Sequence, residues 1–332
     1  MNRSRSESGF SLIELLVATT LLLVVSSIVT SALMQMTTAQ KTIWNRTEMH
    51  SGVRGATELM QQEVGQAGRV NLPNPLTLGA AVTPAGNCNP AVPATNAQWV
   101  AVNSASVPKT SGLFHSASPA AYVMLTVLDG DNQESFRVAD TTATTIFACF
   151  TKTHASGATL IPLGGFATGI VPDTGITNPS NGYLLKMYGD VNGDGNMVYV
   201  EYTCDPEISH NLYRNVTAFD AGTKLPVTNS HILLSNIHRN PGSPIPPCFK
   251  YQTSTITVNG TLFTFVLDVA ITLTVETEQI DPVTKRKQQE TKALLNVSPR
   301  NVFNSWALAG MGYSDRIQST PASVTALLAP LP

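Results

Sequence analysis

Glu14 is the one ionisable side chain between Phe10 and Met34, in the run FSLIELLVATTLLLVVSSIVTSALM. A carboxylate at a bilayer centre costs about 2.5–3.5 kcal/mol on insertion scales. The chemistry open to it is pairing with a buried cation, which is how such a charge persists. A second constellation is Asp190, Asn192, Asp194, Asn196 and Glu201, arranged around Gly195. Carboxylate and amide oxygens at alternate positions suit a hard cation, and the spacing fits the calcium-loop pattern D-x-[DN]-x-[DN]-G-x5-E. The flanks YLLKMY and MVYVEYTC read as strands, however, which would leave Glu201 inside the second strand. The other reading is a hairpin tip in which Asn, Asp and Gly supply turn geometry. Calcium is thus the one cofactor the residues suggest, with Asp190, Asn192 and Asp194 as its first ligands.

No pattern supports catalysis. The histidines, His50, His115, His154, His210, His231 and His238, form no HExxH, and neither GxSxG nor a P-loop occurs. Ser106-Val-Pro-Lys109 matches SxxK by chance in a proline-containing stretch, and the histidines read as surface or interface residues. The chain is therefore read as a non-enzyme. The cysteines are Cys88, Cys149, Cys204 and Cys248, with no CxxC pair. An even, widely spaced set beyond an apolar segment reads as two disulfides, and buried free thiols are the alternative. Four cysteines allow three pairings. Cys88 with Cys149 and Cys204 with Cys248 are preferred only because sequence neighbours close the smaller loops.

These groups need elements to position them. Residues 1–9 are short and polar, with Arg3 and Arg5, and this positive end is expected to stay cytoplasmic. The apolar run of about 25 residues spans about 38 Å as a helix, enough to cross a bilayer. No proline occurs before Pro73. After Met34 the pattern turns amphipathic, and Val53, Ala56, Met60, Val64 and Ala67 recur at helical intervals. The spacing predicts one helix from about Phe10 to Ala67, with a break near Gly52 or Gly55 as the alternative. Gly65, Gly68 and Pro73 are its stop signal.

Gly9-Phe10-Ser11-Leu12-Ile13-Glu14, behind a basic leader, resembles the class III signal of type IV prepilins and pseudopilins. The resemblance implies cleavage by prepilin peptidase between Gly9 and Phe10, then N-methylation of Phe10. It also implies retention of the helix as an anchor, and pairing of Glu14 with the Phe10 amine of a neighbouring subunit in a filament core. It implies a pilin fold, an α+β layout in which a long spine helix packs on an antiparallel β-sheet head with long loops. The expected organisation is a leader at 1–9, a membrane and filament-core half-helix at 10–34, an amphipathic half at 35–68, and a β-rich head at 69–332.

Within the head, AAYVMLTVLDG and ESFRVAD read as a hairpin around 129–133, and TTIFACF as a further strand. LYRNV at 212–216 is a short strand. A long strand from Thr264 to about Gln279 turns through IDPVTKRKQ into a partner ending near Val302. Residues 304–332 read as a loose wrap. The helix end LMQQEVGQAGRV, the strand order and the pair Arg300-Asn301 resemble PilW-type minor pilins, with the J-type minor pseudopilins of type II secretion as the near alternative. Implied partners are other pilins, the peptidase and the inner membrane, with the head in the periplasm and, after assembly, at the cell surface. A net charge of −2 gives no sign of nucleic-acid binding. A reading of a different class is a membrane-anchored, calcium-dependent adhesin.

Overall fold

The architecture comes from a computed structural model. It describes residues 9, 11–72, 76–89, 97–103, 123–142, 144–219, 221–258, 260–313 and 316–330. Phe10, residues 1–8, His115 and the SxxK stretch lie outside the described residues. The chain forms two compact units, one of Met1–Ser51 with Glu276–Gln289, the other of Gly52–Val275 with Glu290–Pro332.

Helix α1 runs unbroken over Leu12–Gln66, 55 residues, or about 82 Å at 1.5 Å per residue. Gly52 and Gly55 do not interrupt it, because their amides stay in the helical ladder. It is long and apolar enough to cross a membrane. Many of its hydroxyls are tied to its own carbonyls, for example Thr20 to Leu16 at 3.0 Å, Thr30 to Ser26 at 2.8 Å and Thr38 to Met34 at 2.8 Å. Hydroxyls satisfied in this way tolerate an apolar surrounding. In the first unit, residues 276–289 form a hairpin tip.

In the second unit the stretch of α1 after Gly52 buries the expected stripe, Val53, Ala56, Met60, Val64 and Ala67. Sixteen strands follow among the described residues. One sheet, ordered β1-β6-β3-β4-β5-β2, joins Leu76–Thr77, Thr159–Pro162, Val123–Leu128, Glu134–Thr141, Thr145–Ala148 and Gln98–Ala101. A second, β11-β10-β9-β8, joins Ile232–Ser235, Asn211–Ala218, Val198–Asp205 and Leu184–Gly189. In a third, β14 (Thr261–Glu276) is flanked by β12 (Ile237–His238) and β13 (Phe249–Val258), and also pairs with β15 (Gln289–Val297). The pair β7 (Gly165–Phe166) and β16 (Ile317–Gln318) is parallel, and the long ladders are antiparallel. The hairpins expected around 129–133 and 190–196 form as read, as does the strand at 212–216. The α+β layout is consistent with a pilin fold.

Two expectations need correction. The strand after the IDPVTKRKQ turn stops at Val297, and Arg300–Gly310 is a helix, α2, that buries Val302, Ser305 and Ala309. Pro299 fixes that boundary by ending the ladder and opening the helix. Nor is the tail a loose wrap. It contains α2, β16 and a short helix α3 at Ala322–Leu327, and Val324, Leu327 and Leu328 belong to the main apolar cluster with Leu125, Phe136 and Tyr188. Small apolar residues read as low-complexity in the sequence, but they fill a core when the chain brings them there.

Both disulfides form between sequence neighbours, Cys88–Cys149 and Cys204–Cys248, with Cα separations of 5.8 and 6.5 Å. Loops of this length imply about 4 kcal/mol each in the chain-entropy account.

Candidate functional site

The amino-terminal site is open. Gly9 and every residue from Ser11 to Thr37 are exposed, Glu14 among them. The amide of Ser11 donates to Glu14 Oε2 at 3.0 Å. A carboxylate three residues into a helix satisfies one of its orphan amides and suits the positive end of its dipole. In the single chain Glu14 thus caps its own helix, and its exposure leaves it accessible to a cation from another chain.

The other end of α1 is locked. Gly68, at φ +79°, sends the chain off the helix, and its amide donates to Tyr188 O at 2.9 Å. Gly169 lies so close that a Cβ there would sit 2.1 Å from the Gly68 Cα. Asn301 Nδ2 donates to the carbonyl oxygens of Gln66 at 3.0 Å and Ala67 at 3.4 Å. The Arg300-Asn301 pair noticed in the sequence therefore has a physical task in its second member, satisfying C-terminal carbonyls. Three residues before the helix ends, buried Glu63 accepts bonds from Arg214 Nε at 3.1 Å to Oε1 and 3.2 Å to Oε2, and from the Tyr202 hydroxyl. Burial first, then the Glu63 charge, pushes the Tyr202 hydroxyl upward, so it remains a donor. Burial works against the Arg214 cation, but its bonds to Glu63 outweigh that and hold its pKa above the ordinary value.

The Asp-rich turn joins β8 to β9. Asp190 is fully buried; its Oδ1 accepts the Gly195 amide at 3.3 Å and its Oδ2 accepts Asn71 Nδ2 at 2.8 Å, with Arg69 Nε 3.6 Å away. Asp194 Oδ1 accepts the Asn196 amide at 2.9 Å, an Asx turn. Glu201 sits within β9, where the Tyr199 hydroxyl donates at 2.6 Å and Lys224 Nζ lies at 2.8 Å. The structure therefore does not bring Glu201 to the turn with Asp190, Asn192, Asp194 and Asn196. Both Asp190 carboxylate oxygens accept from protein donors, beside the Arg69 cation. Among the described residues no group of three or more His, Cys, Asp or Glu converges as a metal site.

One histidine departs from the surface reading. His154 is buried, with Nε2 2.7 Å from Glu134 Oε1 and Nδ1 3.3 Å from Asp129 Oδ2. Burial pushes the Glu134 carboxyl up, but bonds from the Thr151 hydroxyl, His154 and the Thr151 and Lys152 amides outweigh it and leave its pKa below the ordinary value. This cluster pins the segment after Cys149 to the β3–β4 hairpin. Its partners lie 20 and 25 residues away in sequence, and no spacing rule flags it. Glu63 was equally hidden, for Arg214 is 151 residues distant. Its one signal is a glutamate beside the apolar stripe at Met60 and Val64.

A family model described as the prokaryotic N-terminal methylation motif matches residues 4–30. Comparison with curated proteins and with solved structures returns no match. The motif supports a type IV pilin-like protein, a pilin or a pseudopilin. It implies processing by prepilin peptidase and assembly with other pilins. The apolar helix and the motif together fit membrane anchoring.

Proposed function

We propose that this protein is a minor pilin of PilW type, a subunit that helps to initiate, cap or decorate a type IV pilus rather than to catalyse a reaction. One observation carries the reading: Gly9 and Glu14 stand in prepilin register at the head of an unbroken helix whose apolar first half is exposed. In the proposed life cycle the peptidase cuts after Gly9 and Phe10 is methylated. The chain then waits in the inner membrane with its head in the periplasm, as Arg3 and Arg5 at the cytoplasmic end favour. Assembly exchanges the Ser11–Glu14 bond for pairing between Glu14 and the Phe10 amine of a neighbour. A charge pair in a low-dielectric core sets axial register where apolar surface alone does not. The Asp190 turn serves as a structural hairpin tip.

The test is Glu14→Val, with cells separated into membranes and sheared filaments. The expected result is normal cleavage and membrane levels, loss of the variant from sheared filaments, and few surface pili. Wild-type amounts in filaments with normal piliation would contradict the reading.

A further inference from the structure

The hairpin tip at 276–289 belongs to the same compact unit as the first half of α1. Asp281 organises it: its Oδ1 accepts the amides of Val283 at 2.7 Å and Thr284 at 2.9 Å, and its backbone pairs with Lys285 and Arg286. Gln288 donates to Asp281 and accepts from Arg46 of α1. The tip is thereby fastened to α1 near Arg46. Val283 lines one groove with Leu23, Thr30, Met34 and Thr38. Two large apolar side chains, Ile280 and Val283, are 61% and 67% exposed. Lys285, Arg286 and Lys287 follow them, all exposed. Lys287 is 3.9 Å from Glu276, and Glu278 is the other acidic residue of the tip beside Asp281.

The level of this tip along α1 gives it meaning. About 20 helical residues cross a hydrocarbon core, so a span starting at Leu12 ends near residue 31. The first ionisable residue after Glu14 is Lys41, followed by Trp44, which is 74% exposed. A basic residue and an exposed aromatic side by side suit the headgroup layer. Val283 and the basic run therefore stand at the level where α1 leaves a bilayer. Apolar residues next to a short basic run are what binds an anionic lipid surface.

We propose that the 276–289 hairpin is a membrane-interface contact. Ile280 and Val283 enter the headgroup region of the leaflet from which α1 emerges, and Lys285, Arg286 and Lys287 bind the phosphates of anionic phospholipid. The contact steadies the waiting subunit on the membrane and is released when α1 is withdrawn into a filament. This rests on the anchoring of α1 proposed above.

The full chain, reconstituted in phosphatidylglycerol vesicles with a spin-labelled lipid as quencher, tests it. Val283→Cys carries a fluorophore attached without reduction of the disulfides, and Leu23→Cys carries the same label as reference. Quenching of both labels, with the Val283→Cys signal falling toward its phosphatidylcholine level in a Lys285→Gln, Arg286→Gln, Lys287→Gln background, is the expected result. Quenching of the Leu23→Cys label alone would overturn the hairpin contact and leave the anchor standing. Quenching of neither would overturn the anchor itself. Equal quenching of the Val283→Cys label with and without the three basic residues would overturn the phospholipid-phosphate contact.

Discussion

Arg214 of β10 clasps Glu63 of α1 with its Nε 3.1 Å from Oε1, across 151 residues of sequence. Tyr202, on the neighbouring strand β9, donates to the same carboxylate. The last turns of the helix are thus tied to the second sheet by a charge pair, beside the buried stripe from Val53 to Ala67. Glu63 is 3% exposed as a side chain and Arg214 25%, so the pair is only partly screened.

Removing one partner leaves the other charge stranded. Arg214→Met is expected to cost the head about 3 kcal/mol, the lower end of the range for breaking a buried pair, because Arg214 is partly solvated. Glu63→Leu combined with Arg214→Met should be less damaging than Arg214→Met alone. Urea unfolding of the wild type and these two variants measures this, and a double variant less stable than Arg214→Met alone would contradict it.

Asn301 supplies the second lock. Asn301→Ala is expected to cost about 1 kcal/mol, the usual net worth of a hydrogen bond. Asn301→Asp should cost more, because a carboxylate would face the carbonyl oxygens of Gln66 and Ala67 at the negative end of the helix dipole. Thermal melts give the order wild type, Asn301→Ala, Asn301→Asp; a more stable Asp variant would dismiss the cap.

The contrast between these locks and the leader shows what a sequence can carry. Gly9, the apolar run and Glu14 are consecutive, and their chemistry is complete within one stretch of chain. The hairpins at 129–133 and 190–196 were legible for the same reason, since alternation and turn residues are local signals. Glu63–Arg214, Asn301–Gln66 and the His154 cluster depend on partners that only the folded chain brings near. The tail misled because Val324, Leu327 and Leu328 acquire their core role from residues far upstream. The Asp190 turn was half legible: its spacing was visible, but Asn71 and Arg69, which take up its carboxylate, were not.

Acid should loosen the Cys149 region. Glu134 has its pKa lowered in the fold, below an unfolded value of about 4.3. Its bonds therefore stabilise fully above that unfolded value, and the contribution is lost as pH falls through the lower folded value. Glu134→Gln should be less stable at neutral pH and should show a shallower decline between pH 5 and pH 3, an interval set by about that reference pKa. Urea midpoints across that range decide it; parallel declines would remove Glu134 as the cause.

The Asp190 turn predicts indifference to calcium. Melting temperatures in millimolar calcium and in chelator should coincide, whereas Asp190→Ala should destabilise by about 1–3 kcal/mol in both, having stranded the Asn71 and Gly195 donors. A calcium-dependent rise that Asp190→Ala with Asp194→Ala abolishes would restore the metal reading.

The central claim is that this chain is a processed pilin-like subunit, and the mature amino terminus tests it most directly. Protein purified from membranes of cells with active prepilin peptidase should begin at N-methylated Phe10, while cells lacking the peptidase should retain Met1 through Gly9. A mature protein that begins beyond Met34, or one that keeps Met1 despite active peptidase, would contradict the account.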